Sequence, residues 1–253
     1  MEQGPLELGR CRVWRCRLYR GCMLGRNFVM SKEQKVKDFY SKIQFPGPYK
    51  ISQLKINTSP YIQFYNNAVQ GLNDCLDIGC GTGMISNCLA KNNHNIHFDA
   101  VDFCDSIYYA KTFAQKHKIK NIKYYKKDFL SYPTKKKYDL ILCTGVLHHI
   151  PDYLSAIKLI KNLAKRKIVI GIYNTYAKKI QKIIKPKFTN KIYRLDQEEV
   201  PFQTSFDNRQ ILDLFSEYYC NSIHPSINNS VVDFRNLFNY RNGGLTLYEF
   251  ERK

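Results

Sequence analysis

A glycine-rich loop at residues 75–83 restricts the fold of this chain more than any other stretch. A short apolar strand carrying Asp77 leads into it. Three glycines follow at alternate positions: Gly79, Gly81 and Gly83. Glycine lets the backbone turn sharply and approach a ligand where a side chain would collide. Residues 84–90 have apolar side chains at helical spacing, so the loop should open into a helix whose N-terminus is a polar site. A strand, a glycine loop and a helix in this order predict a nucleoside-binding turn.

The glycine spacing argues against a dinucleotide as the ligand. The dinucleotide fingerprint needs its third glycine three places after the second, and that position is Met84. The Asp77 carboxylate would also oppose a pyrophosphate, whereas it suits a ligand that carries an ammonium and a sulfonium group. The stretch resembles motif I of the Rossmann-like methyltransferases that use S-adenosylmethionine. A glycine-rich turn without any ligand is the alternative interpretation.

The resemblance implies a set of cofactor-binding residues in and around this loop. For S-adenosylmethionine, these are Asp77, Gly79, Cys80, Gly81 and Gly83, with Asp102 and Phe103 after the second strand. Asp102 closes that strand 19 residues after Gly83, a position from which a carboxylate can accept hydrogen bonds from ribose hydroxyls. Asp99 competes for the same role but lies within the strand.

Two further segments match the same family. Asp128 and Phe129 follow the third strand, where the family has an acid that binds the adenine amino group and an apolar residue that covers the ring. The fourth strand ends at Thr144, and the run Val-Leu-His-His-Ile-Pro-Asp after it is similar to small-molecule methyltransferases. We expect Thr144 to face the cofactor.

Three aromatic residues are candidates for substrate binding: His148, His149 and Tyr173. One of the two histidines could accept a proton from the substrate, and the residues alone do not decide which. Adjacent histidines point in different directions and no third ligand lies nearby, so a metal site is not expected. No catalytic residue is assigned, because a methyl group on a sulfonium is already activated and needs mainly alignment.

Short apolar strands alternate with amphipathic helices from residue 73 onwards. We predict strands at 74–78, 96–102, 121–125, 138–143, 167–173, 221–227 and 245–251. We predict helices at 83–92, 105–117, 152–165 and 207–219, with another short helix before the last strand. Such alternation favours parallel strands with helices on both faces. Together with the resemblance it predicts an α/β fold with a doubly wound, mostly parallel seven-stranded sheet.

The chain divides into three regions. Residues 1–29 contain six of the twelve arginines, three of the nine cysteines and no lysine. We interpret them as a disordered leader or a mis-assigned start, with translation beginning at Met30; a targeting leader and a basic arm are the alternatives. Residues 30–72 form a helical extension, with helices near 31–43 and 59–71, and it could be a lid over the cofactor or a packing element. Residues 73–253 are the methyltransferase domain, with an insertion at about 174–206.

Composition sets outer limits on function. No apolar run approaches the roughly 18 residues of a membrane-spanning helix. The nine cysteines show no zinc spacing, which favours a reducing compartment and predicts a cytoplasmic protein. The net charge of +19 permits nucleic-acid binding, but the excess is mostly lysine in a chain also rich in Asn, Ile and Tyr, a balance that A/T-rich codons produce.

The sequence therefore predicts a methyltransferase that uses S-adenosylmethionine and acts on a small-molecule, lipid or glycan-like acceptor. An RNA methyltransferase is the first alternative, and a non-catalytic module that binds S-adenosylmethionine is the second. The fourth strand lacks the Asn-Pro-Pro-Tyr type of motif found in many enzymes that methylate amino groups of DNA, RNA and protein. This absence lowers the odds of N-methylation of adenine or glutamine.

The composition break at Met30 leads to a first prediction. Deletion of residues 1–29 should leave thermal unfolding and methyl transfer unchanged, because this segment does not resemble the domain that follows it. Circular dichroism melting and a methyl-transfer assay on both forms check this. Lost solubility or lost activity in the shortened protein would contradict it.

Overall fold

A single mixed sheet organises the protein. The computed structural model describes residues 30–132, 134–184, 199–225 and 244–253. Residues 1–29, and the short helix expected before the last strand, lie outside these ranges. The strands are β1 Asp74–Ile78, β2 His97–Asp102, β3 Ile122–Lys126, β4 Tyr138–Thr144, β5 Ala164–Tyr173, β6 Tyr218–His224 and β7 Leu245–Arg252.

The strand order confirms the predicted fold class. The seven strands lie in the order β3-β2-β1-β4-β5-β7-β6. All neighbouring pairs among β1 to β5 are parallel, and β7 runs antiparallel to both β5 and β6. The order reverses between β1, which pairs with β2 on one side, and β4 on its other side. Ligands of open α/β sheets bind at such a switch point, beyond the carboxyl ends of the strands.

Helices cover both faces of this sheet. They are α1 Lys32–Lys42, α2 Pro60–Ala68, α3 Met84–Asn92, α4 Ser106–Lys116, α5 Tyr153–Leu163, α6 Thr175–Ile184 and α7 Asn208–Leu214. One apolar core joins the sheet to α2, α3 and α4, and a second joins it to α5 and α7. From Leu140 to Cys143, successive β4 residues alternate between the two cores, as the twofold side-chain period of a strand requires. Among the helices described, none has the length and hydropathy that crossing a membrane requires.

Several element boundaries differ from the prediction: β6 is Tyr218–His224 and not 221–227, and α2 ends at Ala68 and not near 71. Helix α5 passes directly into β5 at Ala164, three residues before the expected start, because Ala164 is buried and already pairs with Tyr138. Helix α7 ends at Leu214 and not near 219. It stops there because the fully buried Phe215 stacks on Phe250, and the chain then enters β6 at residue 218.

The helical extension is fastened to the glycine loop by the segment Phe45–Tyr49. The Thr82 N–H donates to the Phe45 carbonyl at 3.1 Å, and the Thr82 hydroxyl donates to the Gly47 carbonyl at 3.2 Å. The Tyr49 hydroxyl in turn donates to the Thr82 carbonyl at 3.0 Å. Thr82 is fully buried, so these bonds lie in the interior and fix the segment against the loop.

Gly83 has the most demanding backbone position at the start of α3. It has φ of +74° as the N-cap of α3, in the left-handed region that favours glycine. A Cβ atom added there would lie 2.6 Å from the Ala110 Cβ and 2.9 Å from the Tyr124 hydroxyl. Gly71 has a similar φ of +71°, but no atom lies within 4 Å of its hypothetical Cβ.

Gly83→Ala should therefore destabilise the protein more than Gly71→Ala. Both variants incur backbone strain of about 1 kcal/mol, and Gly83→Ala adds an overpacking term of about 1–3 kcal/mol. Urea unfolding of the two variants and the wild type measures the difference. Equal losses in the two variants would show that the packing around Gly83 yields without cost.

Candidate functional site

A cavity of about 1190 Å³ lies at the carboxyl ends of the strands. Ten of the residues predicted from the sequence line it: Gly79, Cys80, Gly81, Asp102, Phe103, Asp128, Phe129, Thr144, His149 and Tyr173. The remaining three candidates, Asp77, Gly83 and His148, are not among its lining residues. Helix α1 and the segment at residues 43–65 form much of the opposite wall. The structure therefore gathers most of the candidate positions in one place.

Asp102 joins the second strand to the glycine loop. One carboxylate oxygen accepts from the Gly81 N–H at 2.7 Å, and the other accepts from the Cys104 N–H at 2.7 Å. Burial raises the pKa of this carboxyl, and the backbone donors at Cys104 and Gly81 partly offset that rise. The Asp102 carboxylate thus sets the shape of the loop while it remains at the cavity wall.

Asp77 lies behind the loop, with its side chain buried. It accepts a hydrogen bond from the Ser86 hydroxyl in the first turn of α3. The pKa of Asp77 is raised to about 7, because burial and, to a smaller extent, the negative charge of Asp102 outweigh the lowering effect of the Ser86 hydrogen bond. Asp77 therefore connects β1 to α3, and its carboxyl gains a proton far more readily than an exposed aspartate.

Asp99 is removed from the cavity. Its carboxylate accepts from the Tyr138 hydroxyl at 2.9 Å and from the Lys136 ammonium at 3.1 Å. Asp99 is not among the cavity-lining residues, whereas Asp102 is. Of the two carboxylates that competed for the ribose role, only Asp102 borders the cavity.

Asp128 and Phe129 form the adjoining wall. Asp128 begins a short 3-10 helix by accepting from the Leu130 N–H at 3.0 Å. Its second oxygen accepts from the Lys37 ammonium of α1 at 2.7 Å. Both partners of this ion pair are partly exposed, so it contributes about 0–1 kcal/mol to stability. The buried Phe129 supplies an apolar surface next to the carboxylate.

Thr144 supplies a polar atom that the protein does not satisfy. Its hydroxyl oxygen is buried, and among the described residues it has no hydrogen-bond partner. Thr144 lines the cavity at the end of β4. A buried hydroxyl without a partner costs about 1–3 kcal/mol, so a bound molecule with a suitable polar group would be favoured here.

The two adjacent histidines have different environments. His148 is fully buried, its ring lies 4.0 Å from the Tyr173 ring between centroids, and its nitrogens have no hydrogen-bond partner within the described chain. Burial, with smaller contributions from His149 and Lys178, holds the pKa of His148 well below its usual range. His148 is therefore a neutral packing residue, and His149 is the histidine at the cavity.

His149 is held from both sides of its ring. Its Nδ1 lies 3.0 Å from the Phe202 carbonyl oxygen, and its Nε2 lies 2.8 Å from the Tyr40 hydroxyl oxygen. A carbonyl can only accept, so the hydrogen of this contact is on Nδ1, and in the neutral ring Nε2 accepts from the Tyr40 hydroxyl.

The sequence reasoning missed the contribution of helix α1. Four of its residues line the cavity from one helical face: Glu33, Val36, Lys37 and Tyr40. Their spacing of four and three residues is the periodicity of one helix face, which is the signal that could have identified them. Phe202, whose carbonyl holds His149, has no such signal, because a backbone oxygen can belong to any residue.

The lining has the chemistry that an adenosine-containing cofactor needs. Gly79 and Gly81 have φ of +72° and +55°, and a Cβ on either would come within 2.3 Å of Val146 or the Phe45 carbonyl. Only glycine fits at these two positions. The carboxylates of Asp102 and Asp128 can accept from hydroxyl and amino groups, and apolar side chains flank them. The residues present therefore fit S-adenosylmethionine.

Comparison with known proteins agrees with this geometry. The sequence model of a methyltransferase domain matches residues 72–217, more than half of the chain. A ubiquinone biosynthesis O-methyltransferase of Coxiella burnetii is 37% identical over 92 residues, which cover 35% of this chain and 36% of that protein. One from Acinetobacter baylyi is 25% identical over 125 residues, covering 48% and 50%. The matched stretches thus span half or less of these curated relatives.

Solved structures share the fold over most of the chain. The magnesium protoporphyrin IX methyltransferase of Synechocystis with bound S-adenosylmethionine has a TM-score of 0.56 at 15% identity, covering 90% of this chain and all of that one. The N-methyltransferase NodS of Bradyrhizobium japonicum, in complex with S-adenosylhomocysteine, has a TM-score of 0.52 at 14% identity, covering 87% and 98%. Because these sequence identities are low, the similarity to the two structures shows a shared fold and no more.

The buried Asp77 carboxyl leads to a prediction about pH. Its folded pKa of about 7 lies above the usual value near 3.8, so the folded state binds a proton that the unfolded state has lost. Stability from this group is present below about pH 4 and is lost as pH rises through 7. Asp77→Asn should therefore become more stabilising relative to wild type between pH 5 and pH 8, by about 2–3 kcal/mol.

Asp139→Asn is the matched control for this measurement. Burial of Asp139 is outweighed by hydrogen bonds from the Asn73 N–H and the Lys165 ammonium, so its pKa lies below the usual range. The effect of Asp139→Asn should stay constant above pH 5. Urea unfolding of both variants and the wild type at pH 5 and pH 8 compares them. An Asp77→Asn effect that is also constant would contradict the prediction.

Proposed function

The chain belongs to the methyltransferase domain family, and we propose that it transfers a methyl group from S-adenosylmethionine to a small, largely apolar molecule. The observation that carries this proposal is the single cavity that joins the glycine loop, Asp102 and Asp128 to the Tyr40–His149 pair. Its volume of about 1190 Å³ exceeds the usual range of about 300–1,000 Å³ for a single ligand. Such a cavity has room for a cofactor and an acceptor side by side.

We assign the cofactor half of the cavity by its polar groups. Asp102 would accept from the ribose hydroxyls, and Asp128 with Phe129 would bind the adenine. Gly79, Cys80 and Gly81 would let the backbone approach the rest of the cofactor, next to Phe103 and Thr144. Asp77 and Gly83 would contribute indirectly. They do not line the cavity, but they hold the conformation of the glycine loop that does.

The acceptor half is formed by the helical extension and the sheet edge beyond His149. Apolar and aromatic side chains dominate this wall, among them Phe45, Tyr61, Ile62 and Tyr65. Burial of apolar surface provides about 25 cal/mol per Å², so this wall favours an acceptor with substantial apolar area. Tyr173 and His149 provide the polar contacts.

The chemistry needs alignment more than it needs a nucleophile. S-adenosylmethionine supplies an activated methyl group when bound. The cavity walls orient the acceptor atom for in-line attack and exclude water, and such alignment contributes several kcal/mol to barrier lowering. The ubiquinone biosynthesis O-methyltransferases, which this chain resembles over residues of the same domain, make oxygen the atom we expect to receive the methyl group.

The positive charge does not favour RNA over a small molecule. Several lysines on the described surface are paired with carboxylates, as in Lys136 with Asp99 and Lys165 with Asp139. The curated relatives are named for ubiquinone biosynthesis and not for RNA. We also propose a cytoplasmic location, since the six described cysteines are all free thiols.

Titration calorimetry with S-adenosylmethionine tests the cofactor assignment. Asp102→Asn should weaken binding by about 10- to 100-fold, because the amide cannot accept two backbone N–H groups and present the same acceptor to the ribose. Asp99→Asn is the control, since Asp99 is also a strand-two carboxylate but lies outside the cavity, and its affinity should match wild type. An unchanged affinity in Asp102→Asn would refute the ribose role.

Labelled S-adenosylmethionine identifies the acceptor class. We expect the label to enter the small-molecule fraction of a cell extract incubated with the protein, and not the RNA fraction. Wild-type protein that does not bind S-adenosylmethionine at all would overturn the whole proposal. Label in RNA, together with RNA binding that falls steeply with salt, would favour the RNA alternative.

A further inference from the structure

We infer that Lys37 of helix α1 recognises the adenine ring of the cofactor by donating a hydrogen bond to the ring nitrogen N1, while Asp128 accepts from the neighbouring amino group. The inference rests on the proposed function, because it takes adenine to lie against Asp128 and Phe129. It adds a specificity residue from the helical extension, which lies outside residues 72–217 of the methyltransferase match. Lys37 and Asp128 both line the cavity.

The carboxylate of Asp128 is held through both of its oxygens. Oδ1 accepts from the Leu130 N–H at 3.0 Å, and Oδ2 accepts from the Lys37 ammonium at 2.7 Å. The backbone bond fixes the carboxylate at the start of the short 3-10 helix, and the Lys37 bond brings a cation to the same edge of the cavity. A carboxylate oxygen has more than one lone pair, so Asp128 can still accept a hydrogen from a ligand. Asp128 and Lys37 thus present an acceptor and a donor side by side.

Lys37 is also held by a carboxylate of its own helix. Its ammonium lies 2.8 Å from the Glu33 Oε1, one turn earlier in α1, and Glu33 lines the cavity as well. Burial lowers the pKa of Lys37, but the hydrogen bonds to Asp128 and Glu33 outweigh burial and raise it. Lys37 is therefore a cation at neutral pH, with three hydrogens to donate. Among the described residues, Asp128 and Glu33 take two of them, and the third can go to a ligand.

Helix α1 has contacts before and after Lys37 that hold it against the cavity. Val36 is buried, and the Lys32 ammonium lies 5.4 Å from the centre of the Phe202 ring. One turn after Lys37, the Tyr40 and His149 rings make an edge contact, with 5.3 Å between centroids. These contacts do not involve Asp128. The helix therefore positions the Lys37 ammonium without relying on the ion pair alone.

The two side chains match the hydrogen-bonding edge of adenine. On that edge the exocyclic amino group is a donor, and N1 beside it is an acceptor. The Asp128 carboxylate is an acceptor, and the Lys37 ammonium is a donor. The buried Phe129 offers an apolar surface for the ring next to them. Lys37 and Asp128 together therefore favour adenine over a base in which the donor and the acceptor are exchanged.

Lys37 also offsets the unfavourable effect of covering Asp128. The Asp128 side chain is only 26% exposed, and a bound ring would exclude more water from it. A buried charge is unfavourable unless it is paired and hydrogen-bonded, and the adjacent ammonium supplies that pairing. The same ion pair contributes little to folding while it is partly exposed. We therefore expect Lys37 to affect cofactor affinity and to have little effect on stability.

A ligand that differs from the natural one only at N1 tests the inference. S-adenosylhomocysteine and its 1-deaza analogue share the amino group, but a C–H replaces N1 in the analogue. Titration calorimetry on the wild type should give about 10- to 100-fold weaker binding of the analogue, because one hydrogen bond from a charged donor is lost. In Lys37→Met the two ligands should bind within about twofold of each other. Lys37→Arg keeps a cationic donor and should keep most of the preference.

Lys126→Met is the matched control. It also removes an ammonium that pairs with an aspartate, Asp105, and Lys126 lies two residues before Asp128 at the end of β3. Lys126 is not among the lining residues of the cavity. This variant should keep the wild-type preference for the ligand with N1. A Lys37→Met protein that loses affinity for both ligands equally, and so keeps the preference, would show a merely structural lysine and overturn the inference.

The wild-type measurements separate this inference from the proposed function. If S-adenosylhomocysteine and S-adenosylmethionine do not bind at all, the proposed function and the inference fail together. If S-adenosylhomocysteine binds and its 1-deaza analogue binds equally well, the inference alone is overturned. This comparison needs no variant, so it decides the matter even if Lys37→Met does not fold.

Discussion

The turn from β1 into α3 depends on the hydrogen bond that the Gly81 N–H donates to the Asp102 carboxylate. This bond joins the end of β2 to the middle of the glycine loop, at the point where the sheet order reverses. Gly81 has φ of +55°, in the left-handed region that favours glycine. The Phe45 carbonyl then occupies the space that a side chain at Gly81 would need. One backbone conformation thus fixes the cofactor wall and the anchor point of the extension together.

Periodicity predicted the central strands well because β1, β2 and β4 are buried over almost their whole length. Strand β1 was placed correctly from residue 74 to 78, and β2 to β4 within one residue at each end. The start of β5 was placed three residues late, because Lys165 and Arg166 look like a polar turn. In the fold Lys165 lies at the start of β5, and its ammonium contacts the Asp74 and Asp139 carboxylates, an arrangement that depends on contacts distant in sequence.

Site residues that directly follow a strand could be predicted from the sequence. Site residues that reach the cavity from the N-terminal helix could not. Asp102 and Asp128 each follow a strand, so topology alone brings them to one edge. Tyr40 lies 109 residues from its partner His149, and no local pattern reports that contact. The contact of Asp77 is of the same kind, because its carboxylate accepts from the Ser86 hydroxyl in the first turn of α3, a pairing that no local pattern predicts.

The two parts of the helical extension are held with different strength. The Phe45–Tyr49 segment is anchored by buried bonds to Thr82 and by the Asn87 amide, which donates to the Tyr49 hydroxyl at 2.7 Å. Helix α1 has one buried side chain, Val36, and its ion pair to Asp128 is partly exposed and contributes little. Lys37 and Tyr40, which line the cavity, therefore lie on the weakly held part, while the glycine loop is fixed by the strongly held part.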